Sequence, residues 1–311
     1  MDALTTAIEA VKNKIPGIIL KRDEPLRNHT AFKVGGPVRV MFFPDSTTNL
    51  TEICNILGGF EISPLIIGNG SNILADDKLL DVAVVNTSKL SAMKLNAENS
   101  SFSPAYRDIE ADAGALLSKL AVFAYENGLT GLEFAHGIPG TVGGAVVMNA
   151  GAYGGEMKDV VVGTTAYSVK DGVRKLTAAE NGFSYRQSRF MQSDEVVMSV
   201  AVRLQRGNKE NIKQKMDELG IRRRESQPLD FPSGGSTFKR PKDGYAAAII
   251  EKAGLKGYTV GGAQVSEKHS GFIVNKGGAT FSDIMAVVEH VQREVFKQSG
   301  TQLELEIKVV R

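Results

Sequence analysis

The tract HGIPGTVGGAVVMNAGAYGG, residues 136–155, carries seven glycines, at 137, 140, 143, 144, 151, 154 and 155. Apolar residues run between them: Ile138, Val142, Val146, Val147 and Met148. A flexible glycine linker would lack that interleaving, so the tract is expected to be packed. Backbone this bare approaches its neighbours closely, because glycine removes the Cβ that would hold them off. A tight corner between helix and sheet accounts for one or two such glycines, and the others ask for a bulky or flat ligand.

A second glycine cluster lies in IIGNGSNIL (66–74), where a strand ends in Gly68-Asn69-Gly70-Ser71-Asn72. Successive N–H groups in such a turn make an anion-binding nest, and Ser71 and Asn72 add side-chain donors. Taken alone the stretch reads as well as a plain turn rich in turn-forming residues. It is not the dinucleotide fingerprint, since no GxGxxG opens a helix with an acidic residue about 20 positions later.

Around these loops the pattern alternates between helices and strands. Helical spacing is read in ALTTAIEAVKNK, in 114–128 ending at Gly128, in 205–225, in YAAAIIEKAG and in FSDIMAVVEHVQREVFKQSG ending at Gly300. Strands are read in VRVMFF (38–43), PLIIG (64–68, buried on both faces), DVAVVN (81–86), EVVMSVAVRL (195–204, half-buried), YTVGGAQV, GFIVN and LELEIKVV (303–310). The fold class is α+β.

The 311 residues suggest two or three domains. A hydrophobic share of 42%, a charged share of 23% and a net charge of +2 describe an ordinary soluble domain, with no surface built for nucleic acid or membrane. Cys54 is the only cysteine, and the four histidines have no metal-ligand spacing, so neither a disulfide nor a metal is expected. MDALTTAIEAVKNK has no apolar leader region, and no apolar run nears the ~20 residues of a membrane span, so the expected place is the cytoplasm.

In order along the chain, GNGSN, GLTGLEFAHGIPGTVGGAVVMNAGAYGGE, YRQSRF, PLDFPSGGSTFKRP and LELEIKVV resemble the UDP-N-acetylenolpyruvoylglucosamine reductase family, from about residue 28 to the end. The quick passage from NAGAYGGEMKDV to the next strand resembles the family's shorter type II form. The resemblance implies a bacterial cytoplasmic enzyme of peptidoglycan precursor synthesis. It implies non-covalent FAD in a two-lobed domain of the vanillyl-alcohol-oxidase type, NADPH as hydride source and UDP-N-acetylglucosamine-enolpyruvate as substrate. The expected division is FAD-binding lobes at 1–95 and 96–205 and a substrate-binding domain at 206–311, whose final strand 303–310 returns to the flavin; a monomer is expected. FAD would be held by Gly68, Asn69, Gly70, Ser71 and Asn72 and by Gly137, Ile138, Pro139, Gly140, Gly143, Gly144 and Ala145. His136, beside the second loop, is read as a packing or hydrogen-bonding residue.

By the same resemblance Ser236 is the proton donor, Arg186 the carboxylate-binding arginine and Glu306 the active-site glutamate. The residues suit those tasks. Gly234 and Gly235 give the hydroxyl access, although a turn serine bonded to its own backbone is the plainer reading of an isolated SGGS, and Ser233 and Thr237 are rival hydroxyls. A guanidinium matches a carboxylate that gathers charge, with Arg189 the better fit to a simple ion pair. Glu304 shares a strand face with Glu306 and fits a solvated role. Lys239 and Arg240 are candidates for the substrate's diphosphate or for NADPH, and read equally as surface charges. Two rivals stand: another FAD-dependent alcohol or sugar oxidase of the same fold, and a non-catalytic nucleotide-binding module.

Overall fold

The computed structural model describes residues 2–96, 105–242 and 244–311, and its packing divides the chain into two units. One comprises Met1–Arg22, Val40–Asn69 and Val82–Ile221; the other comprises Asp23–Arg39, Gly70–Asp81 and Arg222–Arg311. The division falls inside the 68–72 turn. The lobe boundary expected at 95/96 borders residues 97–104, which lie outside the described ones.

In the first unit, α1 (Ala3–Lys14) begins where the Asp2 carboxylate accepts the Thr5 N–H at 2.8 Å. Its buried residues Leu4, Ala7, Ile8 and Val11 fall on one stripe of the helix. They pack with Leu50, Ile53, Cys54 and Leu57 of α2 (Thr47–Gly59). The accompanying sheet runs in the order Ile19–Pro25, Pro37–Phe43, Leu80–Asn86, Leu65–Ile67, the last pair parallel. Full burial was expected of PLIIG, but Leu65 and Ile66 are only half-buried, because this strand is at the sheet's edge.

The unit's second sheet is antiparallel, in the order Gly172–Thr177, Val161–Ser168, Val196–Arg206, Tyr106–Asp112, Met93–Asn96. The helices α3 (Leu117–Glu126) and α4 (Val142–Val147) close onto it through Leu117, Leu120, Ala124, Val142 and Val146. Strand 196–206 is buried on both faces over its first half rather than half-buried as its alternation suggested. Val196 and Met198 face the core of α1 and α2, while Val197, Val200, Val202 and Leu204 face that of α3 and α4. A register irregularity opposite Thr165 and Ala166 shifts the side-chain parity, so Val197 and Val200 reach the same core.

The helix α5 (Lys209–Ser226) runs across the division, which falls between Ile221 and Arg222. In the second unit, α6 (Ala246–Lys252) and α7 (Phe281–Ser299) pack on a three-stranded meander of Thr259–Val260, Ala263–Val265 and Ile273–Asn275. A capping box of Thr280 and Asp283 opens α7, and Gly300, at φ +68°, closes it. Phe32, Val34 and Leu74, from the earlier segments, complete this core. Asp77 ties its segment to α7 by accepting the Phe281 N–H at 2.6 Å.

The expected strand 303–310 is a ladder only at Lys308–Val310, parallel to Ile73–Ala75. Before that the segment leans the other way: the Lys239 N–H donates to the Glu304 carbonyl, and the Glu306 N–H to the Thr237 carbonyl, both at 2.9 Å. The change of partner at Glu306–Ile307 breaks the ladder. Among the described residues, no helix is long and apolar enough to cross a membrane, and no group of three or more His, Cys, Asp or Glu could hold a metal ion.

Candidate active site

In the first unit the two glycine loops meet. The Asn69 Nδ2 donates to the Pro139 carbonyl at 2.5 Å. A Cβ on Gly68 would lie 2.2 Å from Thr141 Oγ1, so only a bare backbone fits there. Thr141 in turn caps α4, its Oγ1 accepting the Gly144 N–H at 3.3 Å. The tract's glycines divide by what they touch. Cβ atoms on Gly143, Gly151 and Gly155 would strike Ala113, Gly155 with Glu156, and Phe134 respectively. The fold itself therefore requires more of these glycines than the one or two that a packed corner was expected to explain. Gly137 and Gly144 remain exposed, with bare backbone facing outward.

In the second unit the turn continues through Gly70, at φ +57°, where a Cβ would lie 2.0 Å from the His29 carbonyl oxygen. The Gly70 carbonyl accepts the Ala31 N–H at 3.1 Å. Asn72 holds the C-terminal segment at two points: its Nδ2 donates to the Glu306 carbonyl at 3.0 Å, and its carbonyl accepts the Lys308 N–H at 2.8 Å. Among the described residues, the backbone N–H groups of Asn69, Gly70 and Ser71 donate to no protein acceptor. Uncommitted donors on a turn whose positions 68 and 70 admit no side chain fit the diphosphate of a dinucleotide cofactor.

The hydroxyl loop lies in the same unit. Gly234 packs on Phe32, where a Cβ would fall 2.4 Å from the ring, and Gly235 has φ +78°. Thr237 is fully buried and its Oγ1 accepts the Ile273 N–H at 3.1 Å. That hydroxyl is structural, which removes Thr237 from the rivals. Ser236 precedes it and is half-buried, its side chain without a hydrogen-bond partner among the described residues. Ser233 is half-buried too and bridges Val274 through its backbone. Because Glu306 N–H bonds the Thr237 carbonyl, the structure brings Ser236, Glu306 and Asn72 into one neighbourhood. Glu304, on the exposed face, pairs with Lys239 at 3.2 Å. Arg240 stacks on the Tyr245 ring at 4.1 Å.

Arg186 belongs to the first unit. It sits in a two-residue turn closed by Ser184 and Gln187, whose N–H groups donate to each other's carbonyls at 3.0 and 3.2 Å. Its φ of +53° is rare outside glycine. Its guanidinium donates to the Gly151 carbonyl at 3.1 Å, which ties it to the glycine tract. Glu156 lies near it. The hydrogen bond from Lys158, first, then that from Asn149 and the charges of Lys158 and Arg186, hold the Glu156 carboxyl below the usual carboxylate range against its partial burial. Arg189 makes the ion pair expected of it, with two bonds of 2.8 and 3.1 Å to the buried Glu195. The sequence reading missed Asn149 and Thr141, a turn former and a cap inside the glycine tract.

A family model described as "FAD binding domain" matches residues 38–177. The chain is an FAD-dependent oxidoreductase, with a cofactor-binding part of the vanillyl-alcohol-oxidase type. A model described as "UDP-N-acetylenolpyruvoylglucosamine reductase, C-terminal domain" matches residues 227–310. The reductase of Caldanaerobacter subterraneus subsp. tengcongensis is 47% identical over 288 residues, 93% of this chain and 92% of that protein. That of Agathobacter rectalis is 42% identical over 309 residues, 98% of each chain. The crystal structure of the Thermus caldophilus reductase superposes with a TM-score of 0.81 at 32% identity, covering 94% of this chain and all of that one. The chain belongs to the UDP-N-acetylenolpyruvoylglucosamine reductase family.

Proposed function

We propose that this protein reduces the enolpyruvyl group of UDP-N-acetylglucosamine-enolpyruvate to give UDP-N-acetylmuramate for peptidoglycan, with NADPH as reductant. The observation that carries the residue assignments is the meeting of Ser236, Glu306 and Asn72 through the Thr237–Glu306 and Asn72–Glu306 hydrogen bonds. FAD would be held by Gly68, Asn69, Gly70, Ser71 and Asn72 and by the 137–145 segment. The chemistry it supplies is carriage of a hydride from NADPH to the substrate's double bond.

The chain's own residues do the rest. Hydride arrival at the vinyl carbon builds negative charge on the neighbouring carbon and its carboxylate. Arg186 holds that carboxylate, a permanent charge in a planar fork. Glu306 hydrogen-bonds beside it. Ser236 gives its proton to the carbanionic carbon, a strong base, so donation by a weak acid runs downhill once the hydroxyl is placed. Ser236 suits this better than Thr237, whose oxygen is occupied by Ile273. Lys239 and Arg240 contact the substrate's diphosphate; the exposed Lys239–Glu304 pair is weak enough to be exchanged for it.

The proposal includes the three-part division at 1–95, 96–205 and 206–311. Three hydrophobic cores support the number of parts: one built mainly from Leu4 to Leu90, one from Ile109 to Leu204, and one centred on α6 and α7 that also takes Phe32, Val34 and Leu74. It also includes a monomer, to be checked by light scattering, acting in the bacterial cytoplasm where both nucleotide substrates are available.

The experiment is rapid mixing of the FAD-loaded enzyme. Ser236→Ala should leave flavin reduction by NADPH nearly unchanged and slow flavin reoxidation by the substrate about 10²–10⁴-fold. Equal slowing of both half-reactions would remove Ser236 as the donor. Reduced enzyme that turns over oxygen but not this substrate would sink the substrate assignment.

A further inference from the structure

We infer that Asn149 is a positioning residue for Arg186, holding the turn that carries the guanidinium; the inference rests on the carboxylate-binding role proposed for Arg186. Asn149 is fully buried, yet its side chain uses its full complement of donors and an acceptor. Its Nδ2 donates to Glu156 Oε2 and to the Ser184 carbonyl, both at 2.9 Å, and its Oδ1 accepts the Lys158 N–H at 2.9 Å. One amide thus clamps three segments: its own, the 156–158 turn and the base of the 184–187 turn.

The bond to Ser184 is the one that matters for chemistry. Ser184 and Gln187 close the turn, and Arg186 stands at its crown with φ +53°. A backbone in that region is held only when its surroundings over-determine it. The Gly151 carbonyl fixes the guanidinium end and Asn149 fixes the backbone end. Glu156, the other acceptor of Asn149, is close enough to Arg186 for the two charges to interact.

Side-chain type is constrained as tightly as position. Asn149 sits at φ +42°, a conformation that asparagine tolerates better than other non-glycine residues. An aspartate would aim acceptors at a carbonyl and a carboxylate that both need donors. A misplacement of about 1 Å at a binding arginine is enough to cost on the order of 10²-fold in rate.

The test is a double-mutant cycle on the FAD-loaded enzyme, with NADPH reduction, reoxidation by UDP-N-acetylglucosamine-enolpyruvate and FAD affinity measured separately. Asn149→Asp removes the donors, and Asn149→Gly removes the side chain while easing the backbone. Both should slow reoxidation about 10–100-fold while flavin reduction and the FAD Kd stay within about twofold. Added to Arg186→Ala, Asn149→Asp should slow reoxidation by less than about twofold more, because the group it positions is gone. Slowing that persists undiminished in the Arg186→Ala background overturns the inference, as does loss of FAD by both Asn149 variants, which would make the residue part of the fold alone. If Arg186→Ala itself leaves reoxidation intact, the role proposed for Arg186 fails first and the inference falls with it.

Discussion

Gly144→Ala separates what the fold needs from what the cofactor needs. Gly144 is exposed, in the first turn of α4, and its backbone is not left-handed. A Cβ there would find only Thr141 Oγ1 within 4 Å, at 3.4 Å, an ordinary contact. Alanine in a helix is favoured over glycine by roughly 0.5–1 kcal/mol, so the FAD-free chain should hold or gain stability. A gain of that size moves Tm by about 1–3 °C. If bare backbone at 144 lies against FAD, the added methyl overpacks the contact at about 1–3 kcal/mol, which weakens FAD roughly 5–150-fold. The neighbouring Gly143→Ala is the contrast. Its Cβ would sit 2.8 Å from the Ala113 Cβ and 3.0 Å from the Ala113 carbonyl oxygen, so the apoprotein itself should lose stability. Thermal melting of FAD-stripped protein, with FAD titration by flavin fluorescence, reads both quantities. Gly144→Ala with an unchanged FAD Kd would refute placement of the 137–145 segment on the cofactor. A clear drop in its apoprotein Tm would refute the account of α4.

Thr237→Val keeps the shape of the side chain but strands the Ile273 N–H in the core; urea unfolding should show a loss of about 1–3 kcal/mol, which Thr237→Ser largely restores. Burial holds the His269 pKa below its ordinary value, outweighing the opposing hydrogen bond with its own backbone. As pH falls, the unfolded ring takes up a proton near its ordinary pKa of about 6.5 and the folded ring only at lower pH, so this group's contribution is present at about pH 8 and declines on acidification. Urea midpoints of the wild type and of His269→Gln, which does not titrate, should therefore keep a constant offset near pH 8, with the wild type losing ground to the variant as pH falls toward 5, and a parallel pair of curves would rule the histidine out.

What could be read from the sequence depended on how local its cause is. The α7 helix was legible because Thr280, Asp283 and Gly300 lie beside the apolar stripe that they delimit. The two glycine loops were legible because glycine is chosen where nothing else fits, although which glycines serve the fold and which face outward required the positions of Ala113, Phe134 and Glu156. Three hydroxyls in SGGST are chemically alike, and only burial against Ile273 separates Thr237 from Ser236. Strand 196–206 was misjudged because a register irregularity at Met198, opposite the consecutive Thr165 and Ala166 of its partner, decides which face each valine takes. Asn149 was passed over because an asparagine among glycines reads as a turn former, while its three partners lie 7, 9 and 35 residues away.

The bonds from Asn72 to Glu306 and Lys308 also bear on how the enzyme is made. The partner that finishes the glycine turn is made 234 residues after it. At about 5–20 residues per second the turn waits on the order of ten to fifty seconds for that partner. A ribosome-bound or prematurely stopped chain thus has its first glycine turn without the last strand that braces it. If FAD is held at this turn, its loading waits on the segment that carries Glu306 and Lys308: truncation just before Glu306 should yield protein that is yellow weakly or not at all.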